Sequence, residues 1–249
     1  MVKPVAVNPK LTLIRKALAK CRPLLLRGVG VQAKVQVNPS AAEADIVKLE
    51  AQLAETLKGL LGATGVKVVR HDEPLPPTGW VFQPLTGLRN AKHGNPCSGP
   101  ALGFVQEGKL AAVGVLLAEA EDAVVAAAGE GVMDDAVGRL RVSGRTLHDA
   151  VLQLPMSSAD TATLKLMEHG EAVPFHTRKT GNVLADAVRV AAGKADGAVA
   201  TRLTAFETLA IELLVKEAGG TAKTVTTAAG PTLLSGNVKL VAELSALLK

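Results

Sequence analysis

Residues 80–96 read WVFQPLTGLRNAKHGNP. Trp80, Val81 and Phe82 form an apolar run of strand-forming residues. Pro84, Gly87, Gly94, Pro96 and Gly99 then break the chain into a loop with at most a short helix. An irregular loop directly after a strand can aim backbone N–H groups and a helix N-terminus at an anion, so a site is expected here first.

Upstream of this stretch, Leu11, Leu13, Ile14, Ala17, Leu18, Cys21, Leu24 and Leu25 recur at helical spacing over residues 11–26, with the cations on the other face. Residues 31–37 alternate as a strand should. Ser40 precedes Glu43 at capping-box spacing and predicts a helix to about residue 61, with Ile46, Leu49, Leu53, Leu57 and Leu60 inward. A short buried strand is expected over residues 66–69, and Pro74, Pro76 and Pro77 form a loop.

Downstream, strands are expected at residues 101–105, 110–117 and 123–128, with Gly129 and Gly131 ending the meander. The second half reads as strand 147–154, helix 161–169, helix 181–192, strand 197–200 and helix 206–218, which Gly219 and Gly220 stop. Short strands around Val225, Leu233 and Leu234 precede a closing helix over 238–248. Helices and strands interleave throughout, which makes the class α/β or α+β in layers. One unit over residues 1–249 is expected, with an N-terminal α+β half to about residue 145 and a C-terminal α/β half from about residue 146.

With 249 residues, 48% of them hydrophobic, the chain can bury a substantial core. Aromatics are only 2% and Tyr is absent, so that core rests on many small Ala, Val and Leu contacts. The composition excludes disordered, collagenous and disulfide-scaffold classes. Cys21 and Cys97 are too few and too far apart for a metal knuckle or a CxxC pair. No apolar run approaches the roughly 18 to 20 residues of a membrane span, and no secretory leader is recognised. A soluble protein is expected, cytoplasmic or, if the basic N-terminus derives from targeting, in an organelle interior. Net charge is +5, and Lys3, Lys10, Arg15, Lys16, Lys20, Arg22, Arg27 and Lys34 all precede the first acidic residue, Glu43. That distribution suits a solvated helix face, and also contact with an acidic partner or RNA.

No GxSxG elbow, Walker loop or HExxH occurs. Gly28 and Gly30 lack the third glycine and the following helix of a dinucleotide fingerprint. His169, Glu171 and His176 read as polar residues of a connection rather than as metal ligands.

Residues 80–96 resemble the WxxDPxDGTxNxxHGxP signature of the inositol monophosphatase superfamily, with Trp80, Pro84, Gly87, Asn90, His93, Gly94 and Pro96 at matching positions. Three later segments extend the resemblance. Gly181 and Asn182 open a helix like the family's GSAA start, residues 190–197 read VAAGKADG against VAAGxADG, and residues 206–220 read FETLAIELLVKEAGG against WDxAAxxxIxxEAGG. Gly236 and Asn237 are similar to its closing element. The resemblance implies an α/β/α/β/α sandwich and a homodimer.

It also implies magnesium, held in the family by a Glu of a GEE segment, both Asp of DPxDG, the carbonyl between them and the Asp of WD. Here the DPxDG positions are Gln83, Pro84, Leu85, Thr86 and Gly87, so both shared carboxylates are absent. Glu207 stands at the WD aspartate, and Asp72 and Glu73 match the GEE pair loosely. Asp72, Glu73, Gln83, Leu85, Thr86 and Glu207 are therefore expected to be a vestigial metal set, because magnesium takes charged oxygen ligands. The positions of the family's water-activating Thr and Asp fall on Leu88 and, approximately, Asn38, neither of which is a base. Gly87, Asn90 and His93 remain as candidate ligand contacts.

Three readings follow. The leading one is a catalytically inactive protein of this fold, with no cofactor, serving as a structural, binding or regulatory subunit of a homodimer or larger complex. The second is a magnesium-dependent phosphatase of inositol phosphates, sugar phosphates or nucleotide 3′-phosphates with altered metal use. The third is an RNA-contacting accessory protein, which the scarcity of aromatic stacking residues disfavours.

Overall fold

A computed structural model of the chain describes residues 8–29, 39–154, 168, 175–228 and 230–248. The expected strand at 31–37 and, apart from Glu168, the helix at 161–169 lie outside the described residues.

Helix α1 (Pro9–Val29) buries Leu11, Ile14, Ala17, Leu18, Cys21 and Leu25 along one stripe. Helix α2 (Pro39–Gly62) packs beside it through Ile46, Leu49, Leu53, Leu57 and Leu61. Two details differ from the sequence reading. Leu61, four residues after Leu57, takes the buried place expected of Leu60, which is only partly buried. The helix begins at Pro39, whose fixed φ suits a first turn, and Glu43 pairs with Lys92 instead of closing a capping box.

Both helices cover one face of a seven-stranded sheet: β1 (Val68–Arg70), β2 (Gly79–Thr86), β3 (Gly99–Gln106), β4 (Lys109–Val115), β5 (Val124–Ala127), β6 (Gly131–Asp134) and β7 (Gly138–Arg139), in chain order. Only β1 and β2 run parallel. The period of two divides the side chains. Trp80, Phe82, Leu102, Ala112 and Val125 face α1 and α2, and Val81, Ala101, Val113, Val124 and Ala126 face a middle layer. Gly114 lets α1 approach closely, since a Cβ there would lie 2.3 Å from Ile14 Cγ2. Gly129 and Gly131 do not end the meander. They turn it into β6 and β7, with Gly131 at φ 86°.

Strand β2 does not stop at Phe82. It runs through Pro84 to Thr86, buried throughout, with a register shift against β3 between Gln83 and Thr86. A bulge is where a buried strand tolerates a residue without an N–H. Helix α3 (Leu88–Lys92) follows at once.

The second sheet holds β8 (Val151–Gln153), β9 (His176–Arg178), β10 (Gly197–Thr201), β11 (Thr221–Thr227) and β12 (Gly230–Gly236) in the order β11-β12-β10-β8-β9. Strand β8 is shorter than the expected 147–154, and β11 with β12 makes a hairpin longer than the expected short strands. Helices α4 (Val183–Ala191) and α5 (Ala205–Glu217) fill the middle layer. Helix α6 (Val238–Leu247) closes the outer face through Leu240, Val241 and Leu244, against Val199 and Leu234. The result is a layered α/β/α/β/α sandwich. No helix among the described residues is long and apolar enough to cross a membrane.

Candidate functional site

The β2 bulge, α3 and the N-terminal ends of α4 and α5 meet in the middle layer. Asn182 caps α4: its Oδ1 accepts from Leu184 N at 3.1 Å and Ala185 N at 3.2 Å. The same oxygen accepts from Thr86 Oγ1 at 2.7 Å, while Asn182 Nδ2 donates to Cys97 O at 3.2 Å. Asn90 Nδ2 donates to Cys97 O at 2.9 Å and to Thr180 O at 2.8 Å. Gly87 starts α3 at φ 69°, and a Cβ there would meet Cys97 O at 2.7 Å and Asn182 Nδ2 at 2.8 Å. Gly87 and Asn90, two expected ligand contacts, are thus tied into the framework. His93 is exposed at the C-terminal end of α3, and Leu88 is 40% exposed.

Gln83, on the other side of the bulge, is 7% exposed and donates from Nε2 to Glu207 Oε1 at 3.2 Å. Gln83 Oε1 is buried with no partner. Glu207 belongs to the capping box of α5: its Oε2 accepts from Thr204 N at 2.9 Å, and Glu207 N donates to Thr204 Oγ1 at 3.2 Å. Leu85 points to the opposite face, into the core beneath α1 and α2.

Asp72 and Glu73 are exposed on a surface turn. Glu73 Oε1 accepts from Arg70 N at 2.8 Å, and Asp72 pairs with Arg70 Nε at 3.4 Å. The residue that follows β1 toward Gln83 is His71, whose N donates to Phe82 O at 2.9 Å and whose Nδ1 is buried without a partner. The proline-rich connection hid this register. Asn38 lies outside the described residues.

These donors do not suit magnesium, which takes about six oxygens and needs carboxylates to offset its charge. One carboxylate, already capping a helix, faces an amide, and the Thr86 hydroxyl is turned to Asn182. Among the described residues no three His, Cys, Asp or Glu converge as a metal set. Three cavities of about 390, 290 and 270 Å³ open elsewhere, and none is lined by Gln83, Thr86, Asn90 or Glu207.

One buried acid escaped the sequence reading. Asp186 sits one turn into α4 and accepts from Thr180 Oγ1 at 2.5 Å. Burial pushes its carboxyl up to about 7, against the pull of Thr180 and Arg189. Arg189 in turn holds Glu119 at 2.5 Å and donates to Cys97 Sγ at 3.4 Å. The signal was an Asp four residues after the cap, within a helix otherwise apolar on that face.

Five alternating layers around two side-chain-capped helices define a layered α/β sandwich, and known proteins place it further. The chain belongs to the inositol monophosphatase family, whose pattern matches residues 42–248. An inositol-1-monophosphatase of Mesorhizobium japonicum is 32% identical over 148 residues, covering 57% of this chain; the match spans 54%, about half, of that relative's length. A putative Nus factor SuhB of Neisseria meningitidis serogroup B is 25% identical over 227 residues, 86% of each chain. The solved extragenic suppressor protein SuhB of Bartonella henselae superposes with a TM-score of 0.79 at 21% identity, covering 96% of this chain and 98% of its own.

Proposed function

We propose that this chain is a non-hydrolytic member of its family, working as a structural, binding or regulatory subunit. The reading is carried by the 3.2 Å hydrogen bond from Gln83 Nε2 to Glu207 Oε1. Two carboxylates brought together need a cation between them, whereas an amide N–H facing a carboxylate satisfies it directly. The centre then holds together without metal. Leu88, at the position of the water-activating threonine, offers no hydroxyl, and metal-assisted displacement needs both an activated water and a clamped leaving oxygen.

The relatives' names divide between inositol-1-monophosphatase and putative Nus factor. The second is the one that suits a chain acting through a partner, and the exposed cations of α1, Lys16, Lys20 and Arg27, suit an acidic partner surface. The magnesium-dependent phosphatase reading rests on the first name and on Glu207, which keeps one carboxylate in place. Magnesium titration of the melting temperature separates the two. The native chain is expected to show no rise at millimolar magnesium, and Gln83→Asp with Thr86→Asp to gain one. A magnesium-dependent rise in the native chain would promote the phosphatase reading.

A further inference from the structure

We infer that a cavity between α1 and the connection from β4 to β5 binds a small zwitterion of the amino-acid class. Arg22 and Lys16 hold its carboxylate, and Glu121 and Asp122 hold its ammonium group. The inference is independent of whether the chain hydrolyses phosphate, since none of these residues belongs to the site around Gln83.

Helical spacing builds one wall of this cavity, whose volume is about 290 Å³. Arg15, Ala19 and Arg22 of α1 follow one another at intervals of four and three and so share a stripe, with Lys16 beside it. Ala19 leaves a gap between the long side chains. At 1.5 Å of rise per residue, Arg22 lies about 10 Å along the helix from Arg15. Glu121, Asp122 and Asp135 form the opposite wall, and the buried Leu116 and Ala123 form the floor.

The two ends of the cavity differ. At one, the charges have closed on each other: Arg15 Nε donates to Asp135 Oδ2 at 3.0 Å and Arg15 Nη2 to Asp135 Oδ1 at 2.9 Å. At the other they stand apart. Arg22 is partly buried, and its Nε is fully buried with no acceptor. Among the described residues the side chains of Lys16, Glu121 and Asp122 make no hydrogen bond or ion pair either.

This arrangement selects the ligand's chemistry. A buried donor of a charged group is normally matched by an acceptor, and a carboxylate suits the guanidinium fork. A simple anion is disfavoured by Glu121 and Asp122 across the cavity, and a simple cation by Arg22 and Lys16. With Arg15 and Asp135 neutralising each other, two positive and two negative side chains remain on facing walls, which complements a ligand carrying one charge of each sign. The volume lies at the lower end of the roughly 300–1,000 Å³ of ligand pockets, so the ligand is small, and the floor suits a short aliphatic side chain. The cavity of about 390 Å³ shares Glu121 and Asp122, but its guanidinium, on Arg189, is already engaged by Glu119 and Cys97.

Saturation-transfer NMR on the full chain tests the proposal with L-valine, isovalerate and isobutylamine. L-Valine is expected to bind with a dissociation constant of about 1 mM or tighter. Isovalerate lacks the ammonium group and isobutylamine the carboxylate, and each is expected to bind at least about tenfold more weakly. Arg22→Met keeps the aliphatic stem and removes the fork, and Glu121→Gln with Asp122→Asn removes the exposed carboxylates. Both variants are expected to weaken L-valine binding at least about tenfold with the far-ultraviolet circular dichroism unchanged. Lys20→Gln, on α1 outside the cavity, makes the same change in net charge as Arg22→Met and is expected to leave binding unaltered. If Arg22→Met unfolds the chain, the double variant of the surface acids decides. No binding of L-valine at millimolar concentration would overturn the proposal. So would binding of isovalerate or isobutylamine as tight as that of L-valine, or binding indifferent to these substitutions in a folded chain.

Discussion

Thr86 and Gln83 flank the same bulge of β2, yet their surroundings differ in kind. Around Thr86 every polar group on the path has a partner: Thr86 to Asn182, Asn182 to Cys97, Asn90 to Cys97 and Thr180, Thr180 to Asp186. Around Gln83 one amide oxygen and His71 Nδ1 are buried without partners, and Glu207, the carboxylate that faces Gln83 among the described residues, is already capping α5. The first region is a framework that positions loops whatever the chemistry nearby. The second, in the proposed reading, is what remains when a charge centre becomes a hydrogen-bonded contact.

The comparison breaks most visibly at Asn182. Asn182→Ala removes the α4 cap, the acceptor for Thr86 and a donor to Cys97 in one step. It is expected to cost about 3 to 5 kcal/mol in a urea titration. Because the middle core draws side chains from both sheets, we propose that residues 1–249 unfold in one transition that moves as a whole. Two separate transitions, or a loss under about 1 kcal/mol, would contradict the framework role.

Asp186 gives the next effect, through pH. Its carboxyl is raised from 3.8 to about 7 by burial, so the fold favours the protonated form. The stability it contributes is full below about pH 4 and is lost as pH rises through about 7. Asp186→Asn keeps an oxygen for Thr180 and cannot ionise. Relative to the native chain it is expected to gain about 2 to 3 kcal/mol between pH 5 and pH 8, read from melts across that range. A pH-independent difference would remove Asp186 from the account.

The smallest effect is expected where the proposed reading says the chemistry has gone. Gln83→Leu removes an unpaired buried acceptor together with the amide donor to the partly buried Glu207 Oε1, conserves much of the volume and leaves Glu207 Oε2 in its cap, so that gain and loss largely offset. It is expected to change stability by less than about 1 kcal/mol. A loss as large as that of Asn182→Ala would make Gln83 part of the framework and erase the contrast.

Much of the fold was legible because its signals are local. The apolar stripe of α1 and the glycines that stop α5 read out directly as helix signals, and the resemblance marked Gly181–Asn182 and Gly236–Asn237 as lying ahead of helices; that both asparagines cap α4 and α6 came from the structure. What stayed hidden depends on partners distant in sequence. Pro84 suggests a loop until β3 shows the bulge that accommodates it. Asp72 and Glu73 look like metal ligands by count, but the parallel pairing of β1 with β2 brings His71 toward Gln83. Asp186 is an ordinary helix residue until Thr180 folds over it.

Phosphate release from an inositol phosphate, a sugar phosphate and a nucleotide 3′-phosphate, measured with the native chain across millimolar magnesium, tests the central claim most directly. The account predicts background turnover in every case, with hydrolysis appearing only after Gln83→Asp, Thr86→Asp, Leu88→Thr and Asn38→Asp are combined. Magnesium-dependent turnover by the native chain, abolished by Glu207→Gln, would contradict it.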